Sequence, residues 1–229
     1  MGSSSDVLAT VPGVQFILVR HAQPVRTYNP VGPADPGLSE LGAWQAERLV
    51  SWLVHEPIDH VVTSPKRRAI ETVGGLLDGT AHPEQQVHPH LVVSDLDEID
   101  RRANTYLPTE LLSTEGGEYW EGILRQDWEG IGWDAPDVFN TRVLAAWAEL
   151  CFNPPGEHVV VACHGGVIRR IASHVLGLEG PGRFDIGYAS LTRVEVDGTG
   201  KAGILTLNES AHFDARRESM TERILGRPS

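Results

Sequence analysis

Arg20-His21-Ala22-Gln23 stands where the apolar run Val14 to Val19 gives way to a loop rich in Pro and Gly. A guanidinium beside an imidazole at the end of a buried strand can hold a phosphate and attack it, the first by paired N–H donation and the second through a ring nitrogen. Pairs of this kind also arise by chance in loops, so the reading depends on what the rest of the chain adds. Thr63-Ser64-Pro65 follows the short apolar run His60 to Val62 and precedes Lys66, Arg67 and Arg68. His164-Gly165-Gly166 ends the run Val159 to Cys163 and leads into a helical pattern of Val167, Ile168, Ile171 and Val175. In open α/β sheets ligands bind beyond the carboxyl ends of the strands. Two histidines and two arginines brought to that edge specify a pocket for a doubly charged phosphoryl group, and the glycines after His164 add backbone N–H donors at a helix start.

The 229 residues alternate apolar runs with helical patterns, which predicts a three-layer α/β/α domain around a mostly parallel central sheet with an antiparallel edge. Ser39 caps a helix with Leu41, Leu49, Trp52 and Leu53 on one side. Ser64 as N-cap and Pro65 as first helical residue predict a helix running toward Gly74 with Lys66, Arg67 and Arg68 near its start. Cations there are either solvated surface or an anion site. Between 104 and 136 the pattern dissolves into Gly, acidic residues, Trp120, Trp128 and Trp133. This reads as an insertion or cap able to close over a pocket, its tryptophans serving as local core or as ligand contacts. A helix with Phe139, Val143, Ala146, Trp147 and Leu150 on one stripe stops before Pro154-Pro155. Ser190 to Val196 and Ala202 to Leu207 flank Asp197-Gly198-Thr199-Gly200, which predicts a hairpin at a sheet edge. Residues 1–13 read as a disordered lead-in, 14–213 as one domain and 214–229 as an exposed charged tail.

Arg20-His21-Ala22, Thr63-Ser64 with Arg68-Ala69 and Thr72, Glu98, and His164-Gly165-Gly166 resemble in order and spacing the histidine phosphatase superfamily, the phosphoglycerate mutase-like fold. Leu38-Ser39-Glu40-Leu41-Gly42 with Gln45-Ala46 looks like the family's first helix, and Asn208 with His212 like its closing strand and loop. The resemblance implies His21 as nucleophile, Arg20, Arg68, His164 and Gly165 as phosphate ligands, and Glu98 as proton donor, with His164 preferably protonated. Each role is chemically coherent. Neutral imidazole can displace an alkoxide and become a phosphohistidine, dividing hydrolysis into two easier steps. Cations offset charge on the equatorial oxygens. A carboxylic acid kept protonated by burial can supply the leaving group's proton and then deprotonate water. Glu98-Ile99-Asp100 is similar to the phosphatase branch and lacks the Arg-x-Tyr-Gly run of the mutases, although Arg102 replaces a glycine usually found there. The implied activity is a cofactor-free, metal-independent phosphomonoester hydrolase acting on a small phosphorylated metabolite and releasing inorganic phosphate. Mutase-type phosphoryl transfer and a non-catalytic phosphate-binding module are the alternatives. Asn29 and Arg101 are candidate substrate contacts, together with Arg26, Tyr28, Arg102 and Tyr106.

Composition narrows the partners. The 31 acidic residues against 19 Lys and Arg give a net charge of -12, which argues against nucleic-acid or anionic-membrane binding. Two cysteines, Cys151 and Cys163, form no disulfide framework and fit a reducing, cytoplasmic setting as small buried hydrophobes. His82, His88 and His90 lack a further ligand at metal spacing. Cys163 beside His164 reads as a strand-ending residue rather than a nucleophile. An edge hairpin permits a homodimer.

Overall fold

The computed structural model describes residues 13–80, 87–108, 111–180 and 182–214; the expected lead-in (but for Gly13), the tail beyond Asp214 and His82 lie outside them. In chain order the elements are β1 (Val14–Arg20), β2 (Thr27–Tyr28), α1 (Glu40–Leu53), β3 (His60–Thr63), α2 (Arg67–Thr72), α3 (Gly74–Asp78) and β4 (His90–Val92). There follow β5 (Thr105–Tyr106), α4 (Leu112–Glu115), α5 (Glu118–Arg125), α6 (Pro136–Phe152), β6 (His158–Cys163), α7 (Gly165–Val175), β7 (Leu191–Val196) and β8 (Ala202–Glu209).

Six strands form one sheet in the order β4-β3-β6-β1-β7-β8. Strands β4, β3, β6 and β1 are mutually parallel, with Arg20 opposite Cys163 and Thr63 opposite Ala162 at their ends. The hairpin β7–β8 closes the edge as expected, although only β7 runs against the rest, one place in from that edge. Its turn is held by Asp197 Oδ1, which accepts from the N–H groups of Thr199 and Lys201, and by Gly200 at φ +82°. Strands β2 and β5 make a separate two-stranded ribbon.

Side chains alternate across the buried strands, and this period of two divides the core into two layers. Phe16, Leu18, Val159 and Val161 pack with the α6 stripe Phe139, Val143, Trp147 and Leu150 and with Ile168 and Ile171 of α7. Ile17, Val19, Val160 and Ala162 face Ala46, Leu49, Val50 and Leu53 of α1 on the other side. Phe16 meets the Trp147 ring edge-on at 5.0 Å, so truncating Trp147 to Ala costs about 3–5 kcal/mol.

Local differences from the sequence expectations have simple causes. Ser39 does cap α1, accepting the Gly42 N–H at 3.0 Å, but the buried row is Gly42, Ala46, Leu49, Val50 and Leu53. Leu41, one residue or about 100° off that row, is 50% exposed. The helix expected from Pro65 begins at Arg67, with Lys66 in extended backbone as its N-cap; the Ser64 hydroxyl is shared, accepting the Lys66 N–H at 3.3 Å and lying 2.7 Å from His164 Nε2. It also breaks at Val73 and resumes through Gly74 as α3. Cys163 is fully buried, whereas Cys151 is half-buried; both are free thiols. Among the described residues no helix is long and apolar enough to cross a membrane.

Candidate active site

Strands β3, β6 and β1 are sheet neighbours, so their carboxyl ends fall within about 10 Å of one another. Arg20 ends β1, and the His21 N–H donates to the Cys163 carbonyl at 2.9 Å, extending the ladder by one residue. The ring of His21 faces that of His164 edge-on, centroids 5.1 Å apart. His21 Nδ1 lies 2.8 Å from the Ala22 carbonyl, which can only accept, so Nδ1 carries the proton and Nε2 keeps its lone pair. Burial, reinforced by the charges of Arg68 and then Arg20, holds the His21 pKa well below the usual histidine range. The neutral, Nε2-nucleophilic tautomer is therefore built into the backbone.

Arg68 is 1% exposed on α2, with its guanidinium 4.7 Å from the Tyr106 ring centre and Nη2 3.6 Å from Asp100. Thr72 ties this helix to the loop of His21: its Oγ1 accepts the Ala22 N–H at 2.8 Å and donates to the Arg68 carbonyl at 2.7 Å. Arg20 donates through Nη1 to the Ile186 carbonyl at 2.5 Å and lies over the Tyr188 ring at 3.8 Å. Arg20 Nε, Arg68 Nε and Nη2, and His164 Nδ1 are all shut off from water without a hydrogen-bond partner. Convergent buried donors of this kind fit an anion's oxygens. His164 departs from the expected imidazolium: burial and the nearby Arg68 charge push its pKa well below the usual value. A dianion between them offsets that push and favours the protonated ring.

Glu98 reaches the same place from a loop. Its Oε2 accepts the Gly166 N–H at 2.9 Å and its Oε1 the Ile99 N–H at 2.9 Å. The α7 start expected to receive a phosphate is thus partly taken by a carboxylate of the chain itself. A Cβ on Gly166 would collide with that carboxylate, so this position needs glycine for close approach, while one on Gly165 would crowd Arg20 Nε at 3.3 Å. Burial, and then the negative charge of Asp100, raise the Glu98 pKa above the usual carboxylate value. Two side chains clamp the loop, Lys66, which donates to the Arg101 carbonyl and pairs with Asp97, and above all Arg142. Arg142 on α6 donates to the carbonyls of Asp95, Asp97 and Glu98 and to Asp134 Oδ2, the last at 2.8 Å from Nη2.

These groups open onto a cavity of about 590 Å³, lined by Arg20, His21, Arg68, Glu98 and Gly165, with His164 fully buried against His21. Asn29 and Arg101, expected as substrate contacts, do not line it. Asn29 holds its own loop by donating to the Pro33 carbonyl and accepting the Val31 N–H, and Arg101 donates to Asp134. Arg26 pairs with Glu115 and Arg102 donates to the Trp133 carbonyl, whereas Tyr106, another expected contact, lines the wall. Trp133 lines it too, stacked on Trp128. Sequence reasoning missed Asp100, Asn140, Arg169, Arg170 and Asp185 on the wall. Arg169 and Arg170 carried a signal, since on a helix starting at Gly165 they fall one turn after the two glycines.

Residues 16–209 match the family model of the histidine phosphatase superfamily (branch 1). The chain belongs to that family. A probable phosphatase of Schizosaccharomyces pombe is 24% identical over 214 residues, 88% of this chain and 96% of the relative. The α-ribazole phosphatase of Shigella flexneri superposes with TM-score 0.65 at 20% identity, covering 86% of this chain and 96% of that one. Phosphoserine phosphatase of Entamoeba histolytica, solved with 3-phosphoglyceric acid, gives TM-score 0.61 at 19% identity over 88% of this chain and all of that one. As a histidine phosphatase the chain is an enzyme, and its six-stranded mixed sheet is the phosphoglycerate mutase-like fold. Burial pushes the Cys163 thiol pKa up, which keeps it un-ionised beside His164.

Proposed function

We propose that this histidine phosphatase hydrolyses small phosphomonoesters, independently of metal ions, through a phosphohistidine formed on His21 Nε2. The observation that carries the reading is the Nδ1 contact to the Ala22 carbonyl, which leaves Nε2 as the only nucleophilic nitrogen of a ring held neutral at the cavity floor. Nε2 attacks phosphorus as the ester O–P bond breaks, and Arg20, Arg68 and His164 offset charge on the three equatorial oxygens. The protonated Glu98 carboxyl gives its proton to the departing alkoxide. Glu98, now ionised, takes a proton from water; the oxygen of that water attacks phosphorus, the N–P bond breaks, and phosphate leaves with His21 neutral again. The arginine cations supply the charge neutralisation that other phosphatases take from metal ions. On the same reading residues 14–213 are one catalytic unit and the stretch 104–136 caps the cavity, which the wall positions of Tyr106, Leu107 and Trp133 support.

Rapid acid quench of enzyme mixed with a labelled phosphomonoester tests this. The expected result is acid-labile label on the protein that disappears in His21→Ala, with phosphate release undiminished by chelator. Label surviving in His21→Ala, turnover lost on chelation, or interconversion of 2- and 3-phosphoglycerate without net phosphate would overturn the proposal.

A further inference from the structure

Among the described residues, the arginines with guanidinium nitrogens that are both shielded from water and without a hydrogen-bond partner are Arg20, Arg68 and Arg170. All three line the one 590 Å³ cavity. Two of them are the proposed phosphoryl ligands; the third has no part in that chemistry. Three other arginines drawn in from the surface are matched to acids, Arg142 and Arg101 to Asp134 and Arg193 to Glu56 and Glu209, while Arg20 and Arg169 donate to backbone carbonyls. Arg170 makes no ion pair or hydrogen bond with any described residue, and Asp185 across the wall is not within ion-pair distance of it. Its Nε is shielded from water with no acceptor, and a buried N–H left unpaired is costly unless a ligand satisfies it.

The helix explains the placement. Val167, Ile168, Ile171 and Ala172 of α7 enter the core, which turns the row Gly165, Gly166, Arg169 and Arg170 to the cavity. Gly166 donates to Glu98 at the phosphoryl end, and Arg170 stands one turn farther, about 6 Å along the axis. Arg169 is beside it on the cavity wall, its Nε spent on the Phe184 carbonyl at 3.3 Å. The cavity is therefore cationic at two places separated by roughly the length of a small leaving group.

We infer that Arg170, supported by the charge of Arg169, binds a second anionic group on the leaving group of the substrate, so that the preferred substrates are phosphomonoesters that also bear a carboxylate or a second phosphate a few bonds away. This rests on the phosphomonoesterase reading above and names its substrate class. Arg170 reads the substrate; it does not touch the reacting atoms.

Matched pairs of esters test it. Turnover by the wild-type protein is measured on 3-phosphoglycerate against glycerol 3-phosphate, which differ in a carboxylate, and on fructose 1,6-bisphosphate against fructose 6-phosphate, which differ in a phosphate. At least one pair should favour the doubly anionic member in kcat/KM, and the pair that does identifies the second anion. In Arg170→Met that ratio should fall about 10- to 100-fold toward unity, mainly through KM, and Arg170→Lys should recover part of it. Equal kcat/KM within both pairs, or an Arg170→Met variant that loses rate with the ratio unchanged, overturns the inference and leaves the phosphatase reading standing. Equilibrium binding of the same esters to His21→Ala reads the subsite independently of chemistry. If no ester is turned over, the phosphatase reading fails, and this titration still decides: tighter binding of the doubly anionic member, lost on adding Arg170→Met, supports the subsite, and equal binding overturns it.

Discussion

The strand ends that carry Arg20, His21 and His164 and the loop that carries Glu98 meet in one cavity but are held there by different forces. At the strand ends the main chain does the holding: the His21 N–H reaches the Cys163 carbonyl, the Ser64 N–H reaches Ala162, and the register continues down fully buried strands. No single side-chain change removes that ladder. The Glu98 loop leaves the sheet after β4, and its carbonyls at 95, 97 and 98 hang on the Arg142 guanidinium. The proposed nucleophile is thus fixed chiefly by backbone, whereas the loop of the proposed acid depends on side chains, Arg142 foremost, with the Glu98 carboxylate anchored on the Gly166 N–H. Geometry in the second region is open to disruption at a distance.

His21→Ala gives the largest expected effect, a loss on the order of 10⁴-fold or more in kcat with little change in melting temperature, because the floor survives without its nucleophile. Steady-state rates beside thermal melts check this; a variant that melts early would show that the floor depends on the side chain after all. Glu98→Gln should cost about 10²- to 10⁴-fold on alkyl phosphates and far less on p-nitrophenyl phosphate, whose phenolate leaves without a proton. Its pH profile sharpens the contrast. His21 must be neutral, and burial with the arginine charges lowers its pKa, so the acid limb should fall well below pH 6.5. Glu98 must hold its proton, and burial with Asp100 raises its pKa, so activity should decline as pH rises through that value; Glu98→Gln should abolish this alkaline limb alone.

Arg142→Met tests the clamp directly. It strands buried carbonyls and removes one partner of buried Asp134, so stability should drop by about 3 kcal/mol. Activity on alkyl phosphates should fall about 10-fold while p-nitrophenyl phosphate is nearly spared, reproducing the Glu98 signature at a residue that touches no substrate. Equal losses on both esters would mean that the clamp holds the whole site. Ser64→Ala, which removes the hydroxyl 2.7 Å from His164 Nε2, should cost only about 2- to 5-fold, because the sheet still fixes that ring's backbone. KM and kcat measured separately check it.

The residue types of the floor were legible because each follows an apolar run, and a buried strand's end is marked by where that run stops. The α6 stripe and the hairpin turn at Asp197 to Gly200 were legible for the same local reason, their period and turn chemistry being written in consecutive residues. The α2 start misled: Ser64 does accept the Lys66 N–H, yet its hydroxyl is shared with a histidine a hundred residues away and regular helix begins only at Arg67. Asn29 and Arg101 misled in the same way, since polarity in a loop does not say whether the loop itself consumes it.

The sequence by itself determined the long strands β1, β6, β7 and β8, the helices α1, α6 and α7 and the stock of candidate phosphate ligands, since hydrophobic period, capping and side-chain chemistry act over a few residues. Only the tertiary structure decided the order β4-β3-β6-β1, which inserts the His164 strand between those of His21 and Ser64. It also decided which arginines remain unpaired. Arg101 and Arg142 meet Asp134, whereas Arg170 meets the cavity, and that division depends on contacts between residues far apart in the chain, which no local pattern encodes.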